Sequence, residues 1–211
     1  MGVTPQQFEQ MKNRLNRRTR STPAAANEPR AAQRSPATRH PSPVTRQIIL
    51  GVDPSLRGTG YGVIQLATPT PATLAQGTIS CPAKWERSRC LAKILQTLRD
   101  VIREHRPTVC VIEGLFFAQN LQTALIMGEA RGAALAAIAE GGLEIYELAP
   151  RKVKQAIVGY GAAQKIAVAK MVQRMLNLAE LPAPDAADAL ALALTHAQGN
   201  GRFALTAPKR I

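Results

Sequence analysis

Aspartate is scarce in this sequence: 211 residues contain four, Asp53, Asp100, Asp185 and Asp188. Two of them stand three apart in an otherwise apolar run, Asp185-Ala186-Ala187-Asp188-Ala189-Leu190-Ala191-Leu192-Ala193-Leu194. Asp53 closes the apolar run Ile48-Ile49-Leu50-Gly51-Val52, and Glu113 closes Val109-Cys110-Val111-Ile112. Gathered together, four carboxylates repel one another and call for cations. Hard oxygen donors select Mg²⁺, with Mn²⁺ as a substitute. Two such ions about 4 Å apart activate a water and stabilise the leaving oxygen in phosphodiester hydrolysis. Blander roles fit the same residues. An Asp after a strand is often a loop cap, and Asp185 suits the first turn of a helix, where the dipole favours negative charge. Asp188 and Glu113 resist that explanation, because a charge facing apolar surroundings is costly without a partner. The three cysteines, Cys81, Cys90 and Cys110, are odd in number and match no metal-binding spacing. They read as reduced core residues, which suits a reducing cytoplasm.

To bring these acids together, the elements must converge. Ile48–Asp53 reads as a buried strand, Gly58–Ile64 as a Gly-rich turn entering a second, and Ala75–Cys81 as a third. Their short links favour antiparallel neighbours. The glycines suit a tight hairpin; as a phosphate-cradling loop the signal is weak. Residues 87–105 carry Leu91, Ile94, Leu95, Leu98, Val101 and Ile102 at helical spacing. Val109–Glu113 is the next strand, 120–140 a long helix, and Leu143–Leu148 a fifth strand. Within the long helix Gly128, Gly132, Ala136 and Ala139 form a small-residue stripe, read as packing within the chain, with a subunit contact as the alternative. Basic helices follow, and Pro184 opens a last helix to about His196. The sum is an α/β fold, a mixed five-stranded sheet with helices on both faces. The crossover places the Val109 strand parallel to, and beside, the Ile48 strand, so Asp53 and Glu113 emerge at one edge. Asp185 and Asp188 share a face of the last helix.

The formal charge is +13, which favours a polyanionic partner. Residues 1–46 hold nine basic and two acidic residues. Pro, Ala, Ser, Thr and Arg dominate 21–43, too polar a mix to offset its ordering entropy. The expected organisation is a disordered basic tail over 1–46, a folded domain over 47–197 and a C-terminal tail over 198–211. The N-terminal tail also has the Arg-rich, acid-poor make-up of an organelle transit peptide; a DNA tether or a dispensable tail is preferred. No apolar run reaches the length of a membrane span, and no apolar signal segment opens the chain. The expected location is the cytoplasm.

The motifs around the acids resemble those of the bacterial RuvC family, the Holliday-junction resolvases or crossover junction endodeoxyribonucleases. Gly51-Val52-Asp53-Pro54-Ser55 with Thr59-Gly60-Tyr61-Gly62 is similar to the family's first motif, and Ile112-Glu113 with Phe116 and Asn120 to its second. Gly128-Glu129-Ala130-Arg131-Gly132 resembles the helix that follows. Arg151-Lys152-Val153-Lys154-Gln155, Val158-Gly159 and Gly161-Ala162-Ala163-Gln164-Lys165 resemble the basic stretch. Asp185 to Ala191 with Thr195-His196 resembles the C-terminal motif. The ordered set spans 48–196. The resemblance implies a ribonuclease H-like fold and a homodimer that makes paired, symmetric nicks in four-way junction DNA, in recombination and repair. It implies two Mg²⁺ per active site on Asp53, Glu113, Asp185 and Asp188. Lys154 and Lys165 match lysines near the scissile phosphate, where a cation neutralises developing charge. Phe116 matches an aromatic that contacts a base at the junction centre; Phe117 is assigned to the core. Arg151 and Arg131 are candidate phosphate contacts, and His196 is a candidate neighbour of the metals or a helix-end histidine. Partnership with a branch-migration motor of the RuvAB kind follows from the resemblance alone. Residues 1–46 and 198–211 have no counterpart in these motifs.

Other functions compete. A ribonuclease H-like nuclease on RNA or a hybrid would need contacts to 2′-hydroxyls. A non-catalytic junction binder would gain nothing from an acidic cluster, which weakens DNA binding. An actin-like or sugar-kinase-like phosphotransferase also begins with an Asp strand and a Gly-rich hairpin, but the chain has no room for a second nucleotide-binding half.

Overall fold

The computed structural model describes residues 47–114, 120–199 and 209–211. Unbroken apolar runs make the central strands, because a strand covered on both faces needs no polar alternation. β1 (Ile48–Asp53) pairs antiparallel with β2 (Gly58–Gln65), and β2 with β3 (Ala72–Ser80). β3 is the edge strand, and its exposure alternates accordingly. The chain then crosses through α1 (Arg87–His105) to β4 (Val109–Glu113), which lies parallel to β1. After α2 (Leu121–Glu140), β5 (Glu144–Leu148) adds parallel to β4. The helices α3 (Pro150–Val158), α4 (Lys165–Met175) and α5 (Pro184–Gly199) complete the domain. The strand order is β3-β2-β1-β4-β5-β6.

The sheet therefore has six strands rather than five. The sixth, β6 (Lys209–Arg210), pairs antiparallel with Tyr146 and Glu147 of β5. Its backbone satisfies part of a sheet edge that would otherwise stay unpaired. Two residues carry no readable periodicity, so the sequence gives no sign of it. The expected C-terminal tail thus contributes to the sheet. Residues 1–46, Phe116 and Phe117, each given an expected role above, lie outside the described residues.

Each face of the sheet carries its own core. Leu50, Val52, Cys110 and Ile112 meet Ile94 and Leu98 of α1 and Ala134 and Ile138 of α2. Ile49, Val109 and Val111 meet Val153 of α3, Val168 and Val172 of α4 and Leu190–Leu194 of α5. All three cysteines are buried and unbridged, as expected of small core residues. No described helix is long and apolar enough to cross a membrane.

Two sequence expectations change. First, the glycines of the first motif are strand residues as well as turn residues. A Cβ on Gly51 would lie 1.9 Å from the Ala189 carbonyl oxygen, and one on Gly60 would lie 2.0 Å from that of Asp185. Their absent side chains let α5 rest directly on β1 and β2. Second, among the described residues nothing packs on the small-residue stripe of α2 at Gly128 and Gly132. A Cβ on Gly128 or Gly132 would meet nothing within 4 Å, while Ala130, Ala134 and Ala137 on another face fill the core.

Candidate active site

Parallel pairing of β1 with β4 sets Val52 opposite Ile112, so the next residues, Asp53 and Glu113, leave the sheet side by side. Asp53 also sits opposite Gly60 of β2. The missing side chain there admits the start of α5, which carries Asp185 in its first turn and Asp188 just beyond it. Asp185 Oδ2 would stand 2.9 Å from a Cβ on Gly58. Behind Asp53, the buried Thr59 hydroxyl closes the loop: it donates to Ser55 O at 2.6 Å and accepts from Ser55 N at 3.1 Å. The sequence reading gave Thr59 no such role.

Asp53 and Glu113 are close enough for each to shift the titration of the other. Two carboxyl groups so placed favour a state in which one of them keeps its proton. Burial, then the neighbouring Asp53, push Glu113 up to about 8. Glu113 therefore holds the proton near neutrality. Burial also raises Asp53, and the charges of Asp188 and Asp185 add to this. Lys165, at the start of α4, reaches Asp188 Oδ2 with its Nζ at 2.9 Å. That hydrogen bond, the largest influence on it, raises the pKa of Lys165.

The four acids thus share one edge as two pairs, each with a single positive partner, a proton in one and Lys165 in the other, and each pair keeps a net negative charge. Among the described residues no three His, Cys, Asp or Glu side chains close on a single point as ion ligands. Instead, the proton and the ammonium offset charge in a set with four acids and one contacting lysine. An all-oxygen donor set with this excess of negative charge fits hard divalent cations.

A pH dependence follows for the metal-free protein. Glu113 binds its proton more tightly folded, at about 8, than at its ordinary 4.5. Its contribution to stability is therefore fully present below about 4.5 and is lost as the pH rises through about 8. The slope reaches at most about 1.4 kcal/mol per pH unit, one proton's worth. Thermal melting in EDTA should show this decline, and Glu113→Gln should flatten it. An unchanged slope in Glu113→Gln would place the proton elsewhere.

Residues 49–196 match the family described as crossover junction endodeoxyribonuclease RuvC. The chain belongs to the RuvC family. A RuvC of Chromohalobacter salexigens is 46% identical over 150 residues, covering 71% of this chain and 80% of the relative. One from Rubrobacter xylanophilus is 40% identical over 163 residues, 77% of this chain and 91% of the relative. The structure of Thermus thermophilus RuvC in complex with Holliday junction substrate superposes with a TM-score of 0.71 at 32% identity, covering 78% of this chain and 99% of that one. The mixed sheet with helices on both faces is thus the ribonuclease H-like fold of RuvC.

The other RuvC motif residues separate into groups. Lys165 joins the acids, whereas Lys154, half-buried on α3, is not brought into contact with them. Arg151 lies across Gly161, where a Cβ would stand 2.5 Å from Arg151 Cγ. Arg131 turns away from any phosphate: it is buried and paired with Glu147 of β5. His196 is also buried, packed against Tyr146 with ring centroids 4.8 Å apart. Burial lowers its pKa, and Glu144 only partly opposes this. Eight residues beyond Asp188 on the same helix, or about 12 Å at 1.5 Å per residue, His196 sits apart from the acids and in the last turn of α5.

Proposed function

We propose that this protein is a structure-selective DNA endonuclease that resolves four-way junctions, and that Asp53, Glu113, Asp185 and Asp188 hold two Mg²⁺ ions. The observation that carries the proposal is the set of four acids on one sheet edge, where β1 and β4 run parallel and α5 rests on β2, in a chain of the RuvC family. When bound, the ions supply a nucleophilic water near neutral pH and stabilise the leaving oxygen. The chain's own residues do the rest. Glu113, in its ionised form, would serve with the three aspartates as an oxygen donor. Lys165, beside Asp188, would offer an ammonium to the non-bridging oxygens of the scissile phosphate. Lys154 and Arg151 on α3 add positive charge along the DNA, and Phe116 stacks on an unpaired base at the junction centre.

Paired cuts require two sites. The outward face of α2 supports a homodimer: Leu121 and Leu125 are 77% and 58% exposed, and Gly128 and Gly132 leave open surface along the same helix. Small residues let a second helix approach closely, and exposed leucines supply apolar area. Gly128→Leu should convert dimer to monomer in sedimentation at micromolar concentration. Its melting temperature should hold, since leucine is the better helix former and its Cβ would meet nothing within 4 Å among the described residues. A variant that stays dimeric would remove α2 from the interface.

The basic segment 1–46 acts as a DNA tether, and a RuvAB-like branch-migration motor would deliver the junction. Incubation of the full chain with labelled four-way, duplex and RNA–DNA hybrid substrates tests the whole proposal. Paired cuts confined to the junction, and dependent on Mg²⁺, are expected. Cutting of the hybrid alone would favour the ribonuclease alternative.

A further inference from the structure

The connection between β3 and α1, residues 81–86, lies on the catalytic edge. Ser80, its last strand neighbour, pairs with Gly58, and Gly58 abuts Asp185. With strands about 4.8 Å apart, the connection begins about 10 Å from the end of β1. That is about three nucleotide steps at 3.4 Å each along one DNA strand.

Arg57 fastens this connection to the catalytic loop. Its Nη1 donates to Pro82 O at 2.6 Å and to Trp85 O at 3.1 Å, and lies 3.2 Å from Cys90 Sγ. Its carbonyl accepts from Cys81 N at 3.1 Å. The loop that follows Asp53 and the connection are thereby joined by backbone and side chain together. Trp85 packs partly against the core, and the Arg89 guanidinium sits 4.0 Å over its ring. Lys84 and Arg89 are exposed at this edge. Arg87 is committed to Glu129 at 3.1 Å, and Glu86 is the acid within the connection.

We propose that residues 81–86 with Arg89, held at the catalytic edge by Arg57, form a second DNA-contact surface in which Lys84 and Arg89 engage backbone phosphates of the arm beside the cut. The proposal rests on the nuclease reading above for its substrate. Trp85 limits the wandering of Arg89, so the cation is presented in a fixed place. Arg57 is a positioning residue: it acts through the connection, not on the scissile phosphate.

The test measures binding of the full chain to a fluorescent four-way junction without divalent ions, over a range of salt. The double variant Lys84→Ala/Arg89→Ala should reduce the slope of log K against log salt by about two. Its affinity at about 100 mM salt should fall by roughly tenfold. The single charge reversal Lys84→Glu, at an exposed position, should weaken binding in the same direction. Arg57→Ala should speed amide exchange at Ala83–Glu86, and should weaken binding little further when added to the double variant. An unchanged salt slope in a double variant with normal melting temperature overturns the surface. An additive loss from Arg57→Ala overturns its positioning role. A protein that binds DNA but cuts no junction would instead remove the nuclease reading, and the slope comparison can still be made on plain duplex.

Discussion

Asp53→Asn should bind a four-way junction at least as tightly as the unaltered protein and nick it, with Mg²⁺, at least about a hundredfold more slowly, the scale of losing one charge-stabilising group from an active site. Asparagine keeps the shape of aspartate and still offers Glu113 a hydrogen-bond partner, so the strand edge survives. What disappears is a negative donor at the point where β1, β4 and α5 meet. Binding does not suffer, because removing an anion near a phosphate backbone lessens repulsion. The two quantities therefore move apart: affinity holds or rises while the cutting rate falls. A gel assay under single-turnover conditions, paired with an equilibrium binding curve, reads both. Equal cutting by variant and parent would end the assignment of Asp53 as a metal ligand. Loss of both activities with a lowered melting temperature would assign Asp53 to the fold.

Gly51→Ala should destabilise the domain by about 3 kcal/mol, at the upper end for overpacking a core. The added carbon would lie 1.9 Å from the Ala189 carbonyl oxygen and 3.2 Å from the Ala193 nitrogen. Both are helix backbone and cannot rotate aside, so α5 must move as a body. The expected fall in melting temperature is about 6–12 °C for a chain of this size. Gly128→Ala supplies the contrast. It meets nothing within 4 Å, and alanine favours a helix interior over glycine by about 0.5–1 kcal/mol. At concentrations low enough for monomer it should melt no lower than the parent. A tolerated Gly51→Ala would mean that α5 does not rest on β1 as closely as described, and with it the placement of Asp185 and Asp188 would fall.

Lys165 and Lys154 mark the limit of the sequence reading of the site. Both sit in a basic stretch that resembles the RuvC motif, and nothing local separates them. Only the start of α4, docked beside α5, puts Lys165 against Asp188 and leaves Lys154 on α3 apart from the acids. Arg131 and His196 show the same limit from the other side. Each has the chemistry to serve a nuclease, and each is turned inward, to Glu147 and to Tyr146.

The glycines of the first motif were legible as a hairpin and misjudged as no more. Their alternation along β2, at 58, 60 and 62, is a period-two signal that one strand face must be bare for a close neighbour. Read that way, the sequence announces that some backbone lies there, though not which one.

By itself the sequence determined the first five strands, the helices and the four candidate acids, since apolar periodicity and chain order are local properties. It also determined the parallel placement of β1 beside β4, because handed crossovers leave few alternatives. The tertiary structure decided what those residues do to one another. The proton held on Glu113 beside Asp53, the ammonium on Asp188 and the outward stripe of α2 all depend on distances between segments far apart in the chain. Burial and Coulomb energies change over a few ångströms, whereas the spacing of residues in a sequence fixes only which face of its own element each one occupies.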